Sequence, residues 1–98
     1  MINVIVHHEV ADYTSWKALF DSNLDWRHKQ GERACRIFRS AGNANDLTLF
    51  FEWENLEAAR AFLASEELKG KMASAGVKGS PRVDFLHEVH TLRRSSAD

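Results

Sequence analysis

The sequence predicts an α+β fold whose strands and helices follow one another in the order βαββαβ. Four segments are rich in β-branched or aromatic residues, two longer regions have apolar residues at helical spacing, and turn-forming residues separate them. With 98 residues, the chain has the length of one domain. We therefore expect a single α+β domain over residues 1–92 and a flexible tail over residues 93–98.

The first strand is INVIVHHEV at residues 2–10, in which β-branched residues recur. Because strand side chains alternate between two faces, His8 lies on the same face as Val6. Asp12 is a suitable N-cap for one long helix, which we expect to end at Gly31. The inward stripe of this helix consists of Tyr13, Trp16, Phe20, Leu24 and Arg27.

Two further strands follow, RACRIFRSA at residues 33–41 and LTLFFEWE at residues 47–54. The segment GNAND at residues 42–46 is rich in turn-forming residues and joins them as a hairpin. In LTLFFEWE, large apolar residues occupy alternate positions, which is typical of a strand with one buried face.

The second half of the chain predicts a capped helical region and a last strand. Asn55 can cap the helix NLEAARAFLAS, and Ser65 can begin a short helix that Gly76 closes. Residues 76–81 are expected to form a loop. The segment PRVDFLHEVHTL at residues 81–92 is expected to be the fourth strand.

With right-handed crossovers, this order predicts a ferredoxin-like sandwich with one antiparallel sheet in the strand order 4-1-3-2. Both helical regions then cover the same face of the sheet. The other face mixes apolar with acidic side chains, namely Ile5, Phe50, Leu86, Glu9, Glu52, Asp84 and Glu88. Such a face suits a partner sheet, so we expect a homodimer through the sheet faces.

Composition and charge narrow the classes of function. The net charge of −1, with 13 Lys and Arg against 14 Asp and Glu, predicts no nucleic-acid binding. The single cysteine, Cys35, suits a reducing compartment and a small buried position. The segment EELKGK at residues 66–71 is typical of a solvated helix face. We expect neither a membrane span, which needs about 20 apolar residues, nor a signal peptide, and hence a cytoplasmic protein.

His8 and His87 are the candidate catalytic residues. Matching the apolar faces of the first and fourth strands places His8 near Phe85 and His87 near Val6. The two histidines would then be diagonal neighbours at about 7–8 Å. Two histidines without HxH, HExxH or CxxC spacing do not make a metal site, so no metal is predicted. The alternative is that both histidines are structural.

Aromatic side chains at helical and strand spacing form either a packed core or a flat slot for an aromatic ligand. Arg27 and Arg39 would bind a substrate carboxylate or oxyanion, or form salt bridges with Asp12 or Glu52. The candidate ligand-binding residues are Tyr13, Trp16, Phe20, Arg27, Arg39, Phe51 and Trp53.

The chain resembles the dimeric α+β barrel superfamily, and within it the antibiotic-biosynthesis-monooxygenase-like proteins, most closely a set of small bacterial ones. The segments that carry this resemblance are HHEVADYTSWKALFD (7–21), RIFR (36–39), LTLFFEWENLEAARAFLASEELKGKM (47–72) and AGVKGSPRVDFLHE (75–88). The resemblance implies a barrel formed by two sheets across a two-fold axis. It also implies relatives that act as cofactor-independent quinone or polyketide oxygenases, haem-degrading enzymes or lactone isomerases.

The haem-degrading relatives ligate iron through a histidine of the second helical region, and residues 55–80 contain no histidine. The resemblance therefore favours a cofactor-independent, monooxygenase-like or isomerase-like activity on a small aromatic or quinone compound. A histidine would move a proton while an arginine or tyrosine stabilised the oxyanion, and no cofactor is expected. Two alternatives remain: a non-catalytic ligand binder or sensor, and a structural homodimer whose cavity holds no ligand.

Overall fold

The computed structural model describes residues 1–94 and confirms the predicted α+β fold. The elements are β1 (Ile2–Val10), α1 (Tyr13–Ser22), α2 (Leu24–Gln30), β2 (Glu32–Ser40), β3 (Asn43–Trp53), α3 (Leu56–Leu63), α4 (Glu66–Ser74) and β4 (Val77–Leu86). The strands form one antiparallel sheet in the order β2-β3-β1-β4, which is the predicted order read from the opposite edge. Of the tail expected at residues 93–98, residues 95–98 lie outside the described residues.

The helices begin at the predicted caps, Asp12, Asn55 and Ser65. Each cap residue has an extended backbone, and its side-chain oxygen accepts a hydrogen bond from a backbone N–H of the first turn. The donors are the N–H groups of Ser15 at 2.9 Å, Ala58 at 2.7 Å and Leu68 at 3.2 Å. Local sequence signals therefore fix where these three helices start.

The single long helix expected from Asp12 to Gly31 is wrong, because the chain forms two helices that meet at Asn23. The side-chain amide of Asn23 donates a hydrogen bond to the carbonyl of Leu19 at 2.9 Å, and this competes with the helical pattern. The second helix does end at Gly31, whose φ of 127° is left-handed. A Cβ there would lie 3.1 Å from the ring of Trp53, so only glycine fits.

The fourth strand also differs from the prediction. β4 runs over Val77–Leu86 instead of residues 81–92, so the loop expected at residues 76–81 is mostly strand. Its first residue, Val77, pairs with Val10 at the end of β1. The glycines and the proline of this segment are typical of a loop, so the sequence does not predict this long-range pairing. The pairing of β1 with β4 shifts its register between His7 and Glu9. On the β4 side this shift includes Gly79, whose φ of 62° is left-handed.

The sheet has two different faces, which we call the covered face and the open face. The covered face packs against the helices, and the buried core consists of Ile2, Val4, Val6, Val10, Trp16, Leu47, Leu49, Phe51, Trp53, Ala59 and Phe62. The open face carries Ile5, Phe50 and Leu86, as predicted, together with Phe38. Within residues 1–94, no helix is long and apolar enough to cross a membrane.

Candidate functional site

A cavity of about 80 Å³ lies between the covered face and the helices. Strands β1 and β3 form its floor, and all four helices contribute to its walls. Five residues predicted from the sequence line it: His8, Trp16, Phe20, Arg27 and Phe51. The sequence did not identify its main apolar lining, which includes Leu19, Leu49, Phe62, Leu63, Leu68 and Met72.

His8 is the one imidazole among the cavity-lining residues described by the structure. The alternation of β1 turns it to the covered face, where only 6% of its surface is exposed. Among the described residues, its Nδ1 atom has no hydrogen-bond partner. Its ring centroid lies 5.8 Å from that of Trp16, tilted by 59°. A buried polar atom without a partner is rare and costly, and at a cavity it marks a position where a ligand could bind.

Burial lowers the pKa of His8 from its ordinary value of 6.5, because the charged imidazolium is poorly solvated at the covered face. The neighbouring His7 lowers this pKa further, and the carboxylate of Asp46 partly opposes both effects. His8 is therefore neutral at pH 7 and able to accept a proton.

Aromatic rings from α1 and β3 form one wall of the cavity. Trp16 and Phe20, one helical turn apart, are stacked with their centroids 4.8 Å apart and an interplanar angle of 23°. The ring of Phe51 follows at 6.4 Å from Phe20. The Phe51 ring is tilted by 47° to that of Phe20, so the three rings form an apolar aromatic wall against which an aromatic ligand could pack.

Arg27 lies beneath this wall and is 5% exposed. Its Nε donates to the carboxylate of Glu32 at 2.7 Å, and one terminal nitrogen donates to the carbonyl of Phe20. Its guanidinium carbon also lies 3.6 Å from the centroid of the Phe20 ring. The predicted salt-bridge partners Asp12 and Glu52 are therefore wrong for Arg27. This arginine holds the wall in place through bonds already made to the protein.

Three half-buried lining residues that carry polar groups, Asn23, Trp26 and Lys71, form the part of the cavity that we call the mouth, and none of them was predicted as a site residue. Lys71 of α4 donates from its Nζ to Oδ1 of Asn23 at 2.9 Å and lies 4.6 Å from the ring centroid of Trp26. The indole N–H of Trp26 donates to Glu67 at 3.1 Å. The interpretation of residues 66–71 as a solvated face is thus wrong for Lys71, which is half-buried at the cavity.

His87 does not meet His8. It follows the end of β4 and is exposed, and the last β4 residue, Leu86, pairs with Asn3 near the start of β1. At the strand rise of about 3.3 Å per residue, the two histidines are separated by roughly 15–20 Å along the sheet. The predicted pairing is wrong because Phe85 lies opposite Val4, four residues along β1 from the expected alignment with His8.

Three other predicted residues lie outside the cavity lining. The guanidinium of Arg39 stacks on the ring of Tyr13 at 4.0 Å and donates to the carbonyl of Ala44. Trp53 is fully buried and packs on Phe62, with ring centroids 4.7 Å apart. Tyr13 and Arg39 therefore form a separate surface pair, whereas Trp53 belongs to the core.

Neither a metal site nor an activated thiol is found among the described residues. Within residues 1–94, no group of three or more His, Cys, Asp and Glu side chains is arranged to hold a metal ion. Burial raises the pKa of the Cys35 thiol to about 12, with Glu32 adding to the effect, so the thiol is protonated and a poor nucleophile. His8 is thus the best placed proton acceptor of the cavity.

The sheet order and the helices on one face define the class of fold, which this chain shares with solved structures described as an antibiotic biosynthesis monooxygenase and as a cofactor-independent oxygenase. SnoaB, a cofactor-independent oxygenase from Streptomyces nogalater, superposes with a TM-score of 0.73 at 15% identity, covering 95% of this chain and 97% of that chain. The monooxygenase ActVA-Orf6 of Streptomyces coelicolor, in complex with Nanaomycin D, gives 0.70 at 17% identity, covering 96% and 92%.

A third structure, described as an antibiotic biosynthesis monooxygenase, gives a TM-score of 0.66 at 14% identity and covers 92% of this chain and 100% of that chain. No protein-family model matches the sequence, and a search of curated proteins gives no match. At these identities, the likeness confirms the predicted fold and carries no residue roles across.

Proposed function

We propose that the protein is a cofactor-independent, monooxygenase-like enzyme that oxidises a small phenol or hydroquinone in the cavity. One observation carries the proposal: His8 is buried and neutral beside an aromatic wall, and its Nδ1 has no partner among the described residues. A neutral imidazole in such a place is suited to remove a phenolic proton.

The proposed reaction needs only the substrate and dioxygen. His8 takes the phenolic proton, and the resulting phenolate reduces dioxygen and forms a carbon–oxygen bond at a ring carbon that carries hydrogen. The imidazolium then protonates the peroxide. Loss of the ring hydrogen as a proton and cleavage of the O–O bond release water, so one phenol and one dioxygen give one quinone and one water.

The walls of the cavity support a single-ring substrate. Trp16, Phe20 and Phe51 present apolar surface, which excludes water from a reactive phenolate and a peroxide. The volume of about 80 Å³ is well below the range of roughly 300–1,000 Å³ typical of sites for drug-sized ligands. SnoaB is described as a cofactor-independent oxygenase, and this supports the proposal only through the shared fold.

A non-catalytic ligand binder is the second candidate, and one observation favours it. Arg27 already donates to Glu32 and to the carbonyl of Phe20, and the carboxylate of Glu32 balances its charge, which weakens its attraction for an oxyanion. Tyr13, the other predicted stabiliser, is outside the cavity lining. Without an oxyanion-stabilising group beside His8, the pocket would bind a phenol and leave it unchanged.

Oxygen uptake with methylhydroquinone and catechol, corrected for uncatalysed oxidation, separates these candidates. We expect uptake by the wild type and a loss of about 10²–10⁴-fold in His8→Gln, because the general base is removed. His90→Gln, at an exposed position outside the sheet, is the matched control and should retain the wild-type rate. Tight binding of these phenols without any oxygen uptake would overturn the enzyme and establish the binder.

We also propose that two copies associate through their open faces, as the resemblance implies. Phe38 is 49% exposed and Leu86 is 41% exposed, which is unusual for large apolar side chains on one sheet face. The guanidinium of Arg36 lies over Phe50 at 4.8 Å and adds a cation at the centre of this surface. A second copy offers the same mixed surface, as a two-fold interface requires.

A cytoplasmic location is proposed from the chain's cysteine chemistry. Cys35 is half-buried, and its raised pKa keeps the thiol protonated. A lone thiol of this kind suits a reducing compartment. Fractionation of cells expressing the protein tests the assignment, and recovery of the protein outside the cytosolic fraction would contradict it.

A further inference from the structure

The charges around the cavity are one-sided. Among the lining residues described by the structure, Arg27 and Lys71 are cationic, and none is acidic. The charge of Arg27 is balanced by the buried carboxylate of Glu32. Lys71 has no carboxylate within 4 Å among residues 1–94. One uncompensated positive charge therefore lies at the mouth of an apolar pocket.

The ammonium group of Lys71 is held in position. Its Nζ donates to Oδ1 of Asn23 at 2.9 Å and lies 4.6 Å from the ring centroid of Trp26. An ammonium has three N–H donors, so the bond to Asn23 leaves two of them available. Both Asn23 and Trp26 also line the cavity. The lysine is thus anchored at the mouth while it keeps its capacity to bind a ligand.

The nearest acidic group of α4 is kept out of the lining. Glu67 accepts a hydrogen bond from the indole N–H of Trp26 at 3.1 Å and is exposed to solvent. It is not within salt-bridge distance of Lys71. Because Glu67 bonds Trp26 and forms no salt bridge with Lys71, an anion that enters would meet attraction from the lysine in a partly desolvated place.

We propose that Lys71 determines the specificity of the cavity and that the ligand is a single-ring aromatic compound carrying a carboxylate. The carboxylate binds Lys71 at the mouth, and the ring enters the apolar cavity lined by Trp16, Phe20 and His8. This inference rests on the proposed function and names its substrate class, a phenolic aromatic acid. The cavity volume limits the ligand to no more than one ring, and the carboxylate follows from the charge of Lys71, which has no salt-bridge partner among residues 1–94.

Two matched probes test the charge requirement. 4-Hydroxybenzoate and 4-hydroxybenzamide have nearly the same shape, and only the first is an anion at pH 7. Titration calorimetry, with quenching of tryptophan fluorescence as a second signal, gives the dissociation constant of each. We expect the wild type to prefer the benzoate by about tenfold, which is the size of one charge-assisted hydrogen bond.

Lys71→Met keeps the length of the side chain and removes its charge. We expect this variant to lose the roughly tenfold preference for the benzoate while it binds the benzamide as the wild type does. Lys71→Arg keeps the charge and should retain most of the preference. Lys29→Met, at an exposed lysine of α2 outside the lining, is the control and should behave as the wild type.

The outcomes separate this inference from the proposed function. Equal affinities of the wild type for benzoate and benzamide, or a preference that survives in Lys71→Met, would overturn the role of Lys71 and leave the oxidation proposal standing. Preferential binding that depends on Lys71, with no oxygen uptake on any phenolic acid, would support the inference and overturn the enzyme. Failure of both probes to bind would overturn the inference together with the ligand pocket.

Discussion

The covered and open faces of the sheet are built from the same strands but have different chemistry, and the adjacent residues His7 and His8 show this. His7, on the open face, is half exposed and bonds Asp46 at 2.6 Å through its Nε2. His8, on the covered face, is buried, and its Nδ1 has no partner among the described residues. A shift of one position along the strand separates a histidine that is hydrogen-bonded and solvated from a buried, neutral base.

The difference shows how one strand can supply both an interface and a site. On the open face, polar groups are paired or partly hydrated. Apolar residues such as Phe38 and Phe50 lie among them and are available to contact a partner surface. On the covered face desolvation is stronger, so Arg27 is ion-paired with Glu32, whereas the pKa of His8, unpaired among the described residues, is lowered.

The largest expected effect comes from breaking an ion pair on the covered side. Glu32→Ala leaves the buried Arg27 without its carboxylate, and we expect the free energy of unfolding to fall by about 3–5 kcal/mol. Asp84→Ala removes the exposed partner of Arg82 on the open face and should cost about 0–1 kcal/mol. Urea unfolding monitored by circular dichroism measures both.

A double variant, Arg27→Met with Glu32→Leu, controls for the loss of packing. It removes both charges, so it should recover most of the stability lost in Glu32→Ala. Equal losses of unfolding free energy in Glu32→Ala and Asp84→Ala would mean that an ion pair contributes the same stability on both faces, which would contradict the difference between them.

The second expected effect is on association. Phe50→Glu places a carboxylate in the centre of the open face, and we expect it to weaken the proposed homodimer by about 100-fold or more, because the charge would be desolvated. Leu24→Glu, at an exposed apolar residue on the helix side, is the matched control and should leave the dimer unchanged. Sedimentation velocity over a range of concentrations gives both results, and a monomeric wild type would contradict the proposal.

The sequence predicts the fold well because its signals are local. The caps at Asp12, Asn55 and Ser65 and the alternation of β1 and β3 depend on residues within a few positions of one another. The sequence signal for the helix break at Asn23 is weaker, because one asparagine does not outweigh a continuous apolar stripe that predicts a single helix. The early start of β4 depends on pairing with Val10, which no local pattern contains.

The site is predicted in part, and the errors have a physical cause. The face of His8 and the stripe containing Trp16 follow from periodicity, and both reach the cavity. The placement of His87 fails because a pattern of period two is unchanged by a register shift of an even number of residues. Lys71 was missed because α4 reaches the junction at Asn23 only in the folded chain.

The third prediction uses pH to separate the two faces. The pKa of His8 is lowered in the folded state from its ordinary value of 6.5, so below that pH the unfolded chain binds more protons. Stability should therefore fall as the pH drops below 6.5, by at most about 1.4 kcal/mol per pH unit from this group. Urea unfolding at pH 7.5 and 5.5 measures the loss.

His8→Gln cannot titrate, so its stability should depend less on pH over this interval than that of the wild type. His90→Gln should keep the wild-type dependence, since its side chain is exposed. The two variants share the same chemical change. The difference between them in the slope of unfolding free energy against pH therefore measures the effect of burying His8. Identical slopes would mean that the covered face does not lower the pKa of His8.

The smallest expected effect concerns the size of the ligand and acts on the covered face alone. A second groove, with a volume of about 340 Å³, lies between α4 and β4, and Val6, Leu63 and Met72 line both it and the cavity. These three side chains form the partition between the two spaces. Met72→Ala removes the most flexible part of that partition and should join the cavity to the groove.

We expect Met72→Ala to bind 6-hydroxy-2-naphthoate, a two-ring phenolic acid, about four- to fifteenfold more tightly than the wild type, since roughly one to two buried methylene equivalents of contact become available. Lys69→Ala changes a residue of the groove that does not line the cavity and should have no such effect. Dimerisation should be the same in both variants, because the open face is unaltered. If Met72→Ala gained nothing for the two-ring acid, the aromatic wall at Phe20, and not the partition, would limit the size of the ligand.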